Sequence, residues 1–272
     1  MTESTSEKPV LGVIKVFEGE NRFINLRRFN IIAGIAHALQ VIAMLILAND
    51  RTFPITTAFL EFNEETQKLL PAQETLFDLP LVYLVVSFSV LSAIAHFVVA
   101  FPAYEWYVNQ LRQGKNPARW IEYAFSSSIM IVVIAILFGV YNIAALVAIV
   151  GGNAGMILFG WDMEMLNDPE SEKVNWKPFI FGSIVGLIPW ITLAIYFAGT
   201  IEGNEVPSFV YTVFVVIFIS FNIFPLNMWL QYKKVGPWKN YLFGEAGYIL
   251  LSLVAKSLLA WQVYSGALNQ PV

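Results

Sequence analysis

Residues Tyr241–Ala267 read YLFGEAGYILLSLVAKSLLAWQVYSGA, and the reading of this run decides the fold. As a helix it is long enough to cross about 30 Å of hydrocarbon. Yet Lys256 stands near its middle, the only charged residue of the chain after Glu245. An ammonium in a bilayer core is costly unless it finds a partner or ceases to be a simple amine. A lone intramembrane lysine therefore marks a functional site, and lysine is also the residue that condenses with aldehydes once burial has tuned its amine. Two readings follow: a lysine bonded to a chromophore, or one paired with a carboxylate for structural reasons alone.

The remainder of the chain shares the character of that run. Of 272 residues 57% are hydrophobic and only 13% charged, with a mean hydropathy of +0.62. Soluble domains carry about 25% charged residues, so most of this chain is membrane-spanning. Cysteine is absent, which excludes disulfides and thiolate-held metals. The first 28 residues are polar and mixed in charge, without the apolar core of a cleavable signal peptide. The first span is therefore expected to act as its own insertion signal. A net charge of −4 and a pI near 5.3 argue against nucleic acid as a partner.

Seven apolar runs of spanning length are predicted: Phe29–Ala48, Leu79–Phe101, Arg119–Gly139, Tyr141–Leu166, Phe179–Gly199, Pro207–Gln231 and Tyr241–Ala267. They form one domain, 29–267, between an N-terminal segment 1–28 and a short tail 268–272. Basic residues orient the bundle. Lys8, Lys15, Arg22, Arg27, Arg28, Arg112, Lys115, Arg119, Lys173, Lys177, Lys233, Lys234 and Lys239 fall on one side, against Arg51 and Lys68 on the other. The positive-inside rule places the N-terminus in the cytoplasm and the C-terminus outside, in a multi-pass cell-membrane protein. The outside loop Asp50–Asp78 is long for a compact bundle. Ile55–Phe62 is β-rich, and Thr75-Leu76-Phe77 can pair with it as a short two-stranded sheet; the alternative is an irregular acidic loop.

Polar side chains inside the spans locate the chemistry. Glu122 lies three residues after Arg119, and Ser126 follows one turn later. Ser252 lies one turn before Lys256, on the same helix face. A buried carboxylate and a buried amine are natural partners, although Glu122 could instead reach the membrane surface beside Arg119. The chain has two histidines, both intramembrane: His37 with Gln40 in span one, and His96 with Ser92 in span two. With Asn153 of span four, these groups are expected to line one polar, water-holding cavity on the cytoplasmic side of Lys256. By contrast Ile129–Phe138, the outer half of span three, contains no titratable group. Trp190, Tyr196, Tyr211, Phe214, Phe218, Phe221, Phe224 and Trp261 populate the later spans, and Pro225 kinks span six. Beside an intramembrane lysine these rings suit a flat, conjugated ligand.

Together these features resemble the microbial rhodopsins, with a lysine midway along the seventh helix and a carboxylate early in the third. The order Arg119-Trp120-Ile121-Glu122 matches that family's arginine and counterion. The inverted orientation, the long first loop and the set His37, Gln40, Ser92, His96, Glu122-Tyr123, Asn153 and Ser252-Leu253-Val254-Ala255-Lys256 resemble heliorhodopsins in particular. The resemblance covers 29–267. It implies an all-α, rhodopsin-like seven-helix membrane bundle carrying all-trans retinal as a protonated Schiff base on Lys256, with Glu122 as counterion. It further implies a polar cavity of His37, Gln40, Ser92, His96, Asn153, Ser126 and Ser252, and a retinal pocket including Tyr123, Met156, Phe218, Phe221 and Trp261.

By the same resemblance the protein is a non-enzymatic light sensor with a slow photocycle and no net pumping. It is expected to be a homodimer that signals to a cytoplasmic or membrane partner. A light-driven proton pump or light-gated proton channel on the same scaffold is the alternative. Seven-helix zinc hydrolases and receptors share the topology, but zinc needs at least three protein ligands. Two histidines, with none after His96, do not supply them, and no metal site is expected.

Overall fold

The computed structural model describes residues 21–168, 171, 173–203 and 208–269. The expectations placed on Lys8, Lys15, Pro207 and the end of the C-terminal tail, 270–272, lie outside the described residues, as does most of the segment 1–28. Among the described residues, seven helices are long and apolar enough to cross a membrane. They are α1 (Arg22–Leu47), α2 (Leu81–Ala100), α4 (Pro117–Leu137), α5 (Ile143–Met165), α6 (Lys177–Gly203), α7 (Ser208–Tyr232) and α8 (Tyr241–Val263). A short helix α3 (Tyr104–Arg112) connects α2 to α4, and a π-helical turn, Tyr264–Leu268, extends α8. The expected spans are all present.

The boundaries differ most at α1, which starts at Arg22 and not at Phe29. Charge there is accommodated because Arg27 donates from Nε to the Ala100 carbonyl at 2.6 Å. Its guanidinium also lies 4.5 Å from the Tyr104 ring centroid, so the helix extends to the membrane edge without stranding a cation. The starts of α4, α5 and α8 follow side-chain caps. The Asn116 side-chain Oδ1 accepts from the Arg119 N–H ahead of Pro117 at the first helical position, and the Asn142 side chain accepts from Ala144 and Ala145. Asn240 accepts from Leu242. Each satisfies an N–H that a helix start leaves unpaired. The turn expected near Gly139–Tyr141 is present, with Gly139 at φ 87°, a conformation glycine adopts at little cost.

Between α1 and α2 the chain forms an antiparallel hairpin, β1 (Thr52–Asn63) and β2 (Lys68–Pro80). Ile55 pairs with Phe77 and Thr56 with Thr75, so the predicted pairing is present within strands longer than the sequence indicated. Leu76 is the extra residue of a bulge at that step, which bends the ribbon. The base of the hairpin is tied to the bundle: Thr56 donates its N–H to the Tyr141 carbonyl at 2.9 Å, and Ile55 is buried.

The helices close into a bundle in which α1 packs on α2 and α8, α4 on α2 and α5, and α5 on α6. The half of the bundle next to the hairpin, the sheet end, is filled by Ile131, Val133, Ile134 and Ile136 of α4 against Phe88, Leu193, Ile217 and Leu259. The opposite half, bounded by α3 and the starts of α4 and α8, is the basic end. Among the described residues, the buried charged side chains lie toward that end of the apolar plug.

Candidate functional site

Lys256 lies fifteen residues into α8, and its ammonium would be untenable there without partners. It has two: Nζ donates to Glu122 Oε1 at 2.9 Å and to Ser252 Oγ at 2.7 Å. The side chains of the pair are 3% and 9% exposed. Ser92 donates its hydroxyl to the same Glu122 oxygen at 2.6 Å. This fixes the carboxylate from a second helix and offsets part of its desolvation. Three helices therefore meet at one charge pair, and Glu122 turns inward to Lys256 rather than outward beside Arg119.

Lys256 stands in the wall of a cavity of about 270 Å³. Ser126 and Ser252 face it near the amine, and Tyr123, Met156, Trp190, Phe218 and Phe221 contribute to its walls. The rings are set edge to face, with Trp190 4.9 Å from Phe218 and 5.7 Å from Phe221 between centroids. Such packing leaves a slot with flat walls. The Ser126 hydroxyl is buried without a hydrogen-bond partner among the described residues, as suits a donor facing the interior of a binding cavity. An amine at a polar, carboxylate-bearing place in an otherwise apolar aromatic slot is the arrangement a conjugated aldehyde needs for covalent attachment. The residues present fit retinal.

A smaller cavity of about 50 Å³ lies on the basic side of the pair, bordered by Glu122, His96, Asn30, Asn116, Arg119 and Glu245. The imidazoles of His37 and His96 stack with centroids 5.7 Å apart. His96 Nδ1 shares a hydrogen bond with Asn30 Oδ1 at 2.8 Å, whereas neither ring nitrogen of His37 has a partner among the described residues. The structure thus brings His37, His96, Ser92 and Glu122 together.

Three of the expected residues make their contacts elsewhere. Gln40 donates to Ser89 at 2.8 Å, a helix-to-helix clasp between α1 and α2, and does not border the small cavity. Asn153 donates to Ser127 and Ser128 at 2.7 and 3.1 Å, on the side of α4 that faces α5, and also lies outside that cavity. Trp261 lines neither cavity. It is 42% exposed and packs edge-on against Tyr264, because its position on α8 faces away from the ring of helices.

Sequence reasoning also missed a second charged cluster. Arg119 is paired with both Glu164 of α5 and Glu245 of α8 rather than with Glu122. Asn116 joins them: its N–H donates to Glu164 at 2.8 Å and its side-chain amide to Glu245 at 2.7 Å. Trp120 Nε1 donates to Glu164 at 2.7 Å, and the guanidinium lies 4.4 Å from the Trp120 centroid and 4.0 Å from that of Tyr248. The signal was available, since Glu164 and Glu245 are carboxylates inside apolar runs, the criterion that singled out Lys256. No group of three or more candidate metal-ligating side chains occurs among the described residues.

Comparison with curated proteins gives no match. The family profile of the heliorhodopsins matches residues 26–268, which takes in both cavities and all seven spans except the first four residues of α1. The chain therefore belongs to the heliorhodopsin family, retinal-binding light-sensing rhodopsins of the membrane.

Proposed function

We propose that this protein is a photoreceptor in which Lys256 carries all-trans retinal as a protonated Schiff base, with Glu122 as the counterion and no net ion transport. The observation that carries this reading is the 2.9 Å contact between Lys256 Nζ and Glu122 Oε1 in the wall of an aromatic cavity. Retinal bound there supplies the light absorption and the isomerisation that starts the response. Glu122 balances positive charge on the lysine nitrogen, and Ser92 holds the carboxylate in place. Ser252 accepts from the same nitrogen and adds no charge of its own, so a single carboxylate sets the local field.

The sidedness of the proton-handling groups supports sensing over transport. A pump needs exchangeable groups on both sides of the nitrogen. Here Glu122, His96 and the small cavity lie toward the basic end. Toward the sheet end α4 offers only Met130, Ile131, Val133, Ile134, Ala135 and Ile136, all buried. A proton leaving the Lys256 nitrogen therefore passes to the polar cluster around His96 and returns from it. The excess of lysine and arginine at that end supports an orientation in which it faces the cytoplasm together with the N-terminus. There a change in the cluster is positioned to reach a signalling partner.

Expression with and without added all-trans retinal tests this reading. The parent should gain a visible absorption band that bleaches with hydroxylamine under light, and Lys256→Ala should fold without the band. A Lys256→Ala protein that keeps the full band would refute the attachment.

A further inference from the structure

Trp120 belongs to both halves of the molecule. Its ring forms part of the wall of the large cavity, and its indole N–H donates to Glu164 Oε2 at 2.7 Å, inside the Arg119 cluster. The side chain is only 4% exposed and has little room to move. Tyr123 and Tyr248 meet it edge-on with centroids 6.5 and 6.2 Å away. Gly160 of α5 lies directly beneath it: a Cβ there would fall 2.5 Å from Trp120 Cζ3 and 2.7 Å from Cη2. Packing this tight does not deform continuously, so displacement of one edge of the ring is passed to the other.

The acceptor end is equally constrained. Glu164 Oε2 receives the Asn116 N–H and the Trp120 N–H, and Oε1 is paired with Arg119. Arg119 in turn holds Glu245, so the cluster ties the starts of α4 and α8 to the end of α5 at the basic end of the bundle. A shift of the indole therefore alters a hydrogen bond to a carboxylate that joins three helices. Such charge-assisted bonds are short and directional, and a small displacement weakens them strongly.

We propose that Trp120 is the positioning residue that couples the occupant of the large cavity to the Arg119–Glu164–Glu245 cluster, so that a change of ligand shape is converted into a rearrangement at the basic end. This inference rests on the retinal reading above. The proposed link is mechanical and runs through Trp120, separately from the proton path past Glu122 and His96.

The test is light-minus-dark infrared difference spectroscopy on the full-length protein reconstituted with retinal. Carboxylate bands are assigned to Glu164 by their disappearance in Glu164→Gln, and intensities are scaled to the isomerisation bands of the chromophore. The parent should show a light-induced Glu164 band. Trp120→Phe keeps an aromatic ring in the wall and removes the N–H, and in it the scaled Glu164 band should be lost. Gly160→Ala acts from the opposite side, keeping the N–H but forcing the ring to move. In that variant the visible band and the dark-state Glu164 stretch should shift together. Chromophore bands without a Glu164 band in the parent, a Glu164 band of parental scale in Trp120→Phe, or a shifted visible band with an unmoved Glu164 stretch in Gly160→Ala would each overturn the coupling. A parent that forms no visible band with retinal overturns the retinal reading itself, a separate and recognisable outcome.

Discussion

Replacing Glu122 with glutamine removes one negative charge 2.9 Å from Lys256 Nζ while keeping the side chain's length and an acceptor oxygen for Ser92. At an effective dielectric of about 20, a unit charge pair at that separation interacts by about 6 kcal/mol. Excitation of a protonated, conjugated nitrogen carries positive charge along the chain and away from the carboxylate. With about half of the charge displaced, the carboxylate widens the transition by about 3 kcal/mol. Glu122→Gln should therefore absorb tens of nanometres to the red of the parent. The assay is a pair of visible spectra in the same detergent and buffer. Ser92→Ala serves as a control that removes a neutral hydroxyl and its 2.6 Å hydrogen bond to the carboxylate but no charge, so its displacement should be much the smaller. A Glu122→Gln band that stays in place or moves to the blue would mean that a different group carries the counter-charge, and the geometric argument would fail.

Three further outcomes are expected. Arg119→Gln leaves Glu164 and Glu245 buried without their cation, and removing one partner from such a cluster costs about 3–5 kcal/mol; thermal unfolding in detergent should show a large loss of stability, and a variant as stable as the parent would contradict the pairing. Deleting Phe59–Phe62 removes apolar side chains that are 44%, 62% and 53% exposed at Phe59, Leu60 and Phe62, so a homodimer seated on this hairpin should dissociate in native mass measurements; a monomeric parent, or a dimer that survives the deletion, would rule that interface out. Illuminated vesicles should show no protonophore-sensitive pH change, and a clear light-driven change abolished by protonophore would establish transport in place of sensing.

Much of this architecture was legible from the chain itself. Seven runs of spanning length could only become helices, because a lipid-facing backbone must satisfy its own hydrogen bonds. Lys256 and Glu122 were conspicuous because a charge inside an apolar run is expensive, and each was the other's economical solution. That Ile55–Phe62 could pair with Thr75-Leu76-Phe77 followed from alternation and β-branching in a loop too long to be a simple connection, whereas the register, Ile55 opposite Phe77, came only from the structure. The same criterion, applied without exception, would have identified Glu164 and Glu245 as well.

Which way each helix faces was decided only by the tertiary structure. In water, an apolar stripe marks the buried side of a helix; in a bilayer the outer surface is as apolar as the core, and that contrast disappears. Phe218 and Trp261 are 43% and 42% exposed and look alike in sequence, yet Phe218 borders the cavity and Trp261 faces away from it. Arg119 precedes Glu122 by three residues, but side chains at that spacing on α4 part company here: Glu122 meets α8 at Lys256, and Arg119 meets α5 and α8 at Glu164 and Glu245. Asn153 could have served the histidines or the serines of α4, and only the rotation of α5 against α4 assigned it to Ser127 and Ser128. The cost of burying charge is written into single residues, whereas the choice among equally apolar or equally polar neighbours belongs to the packing of whole helices.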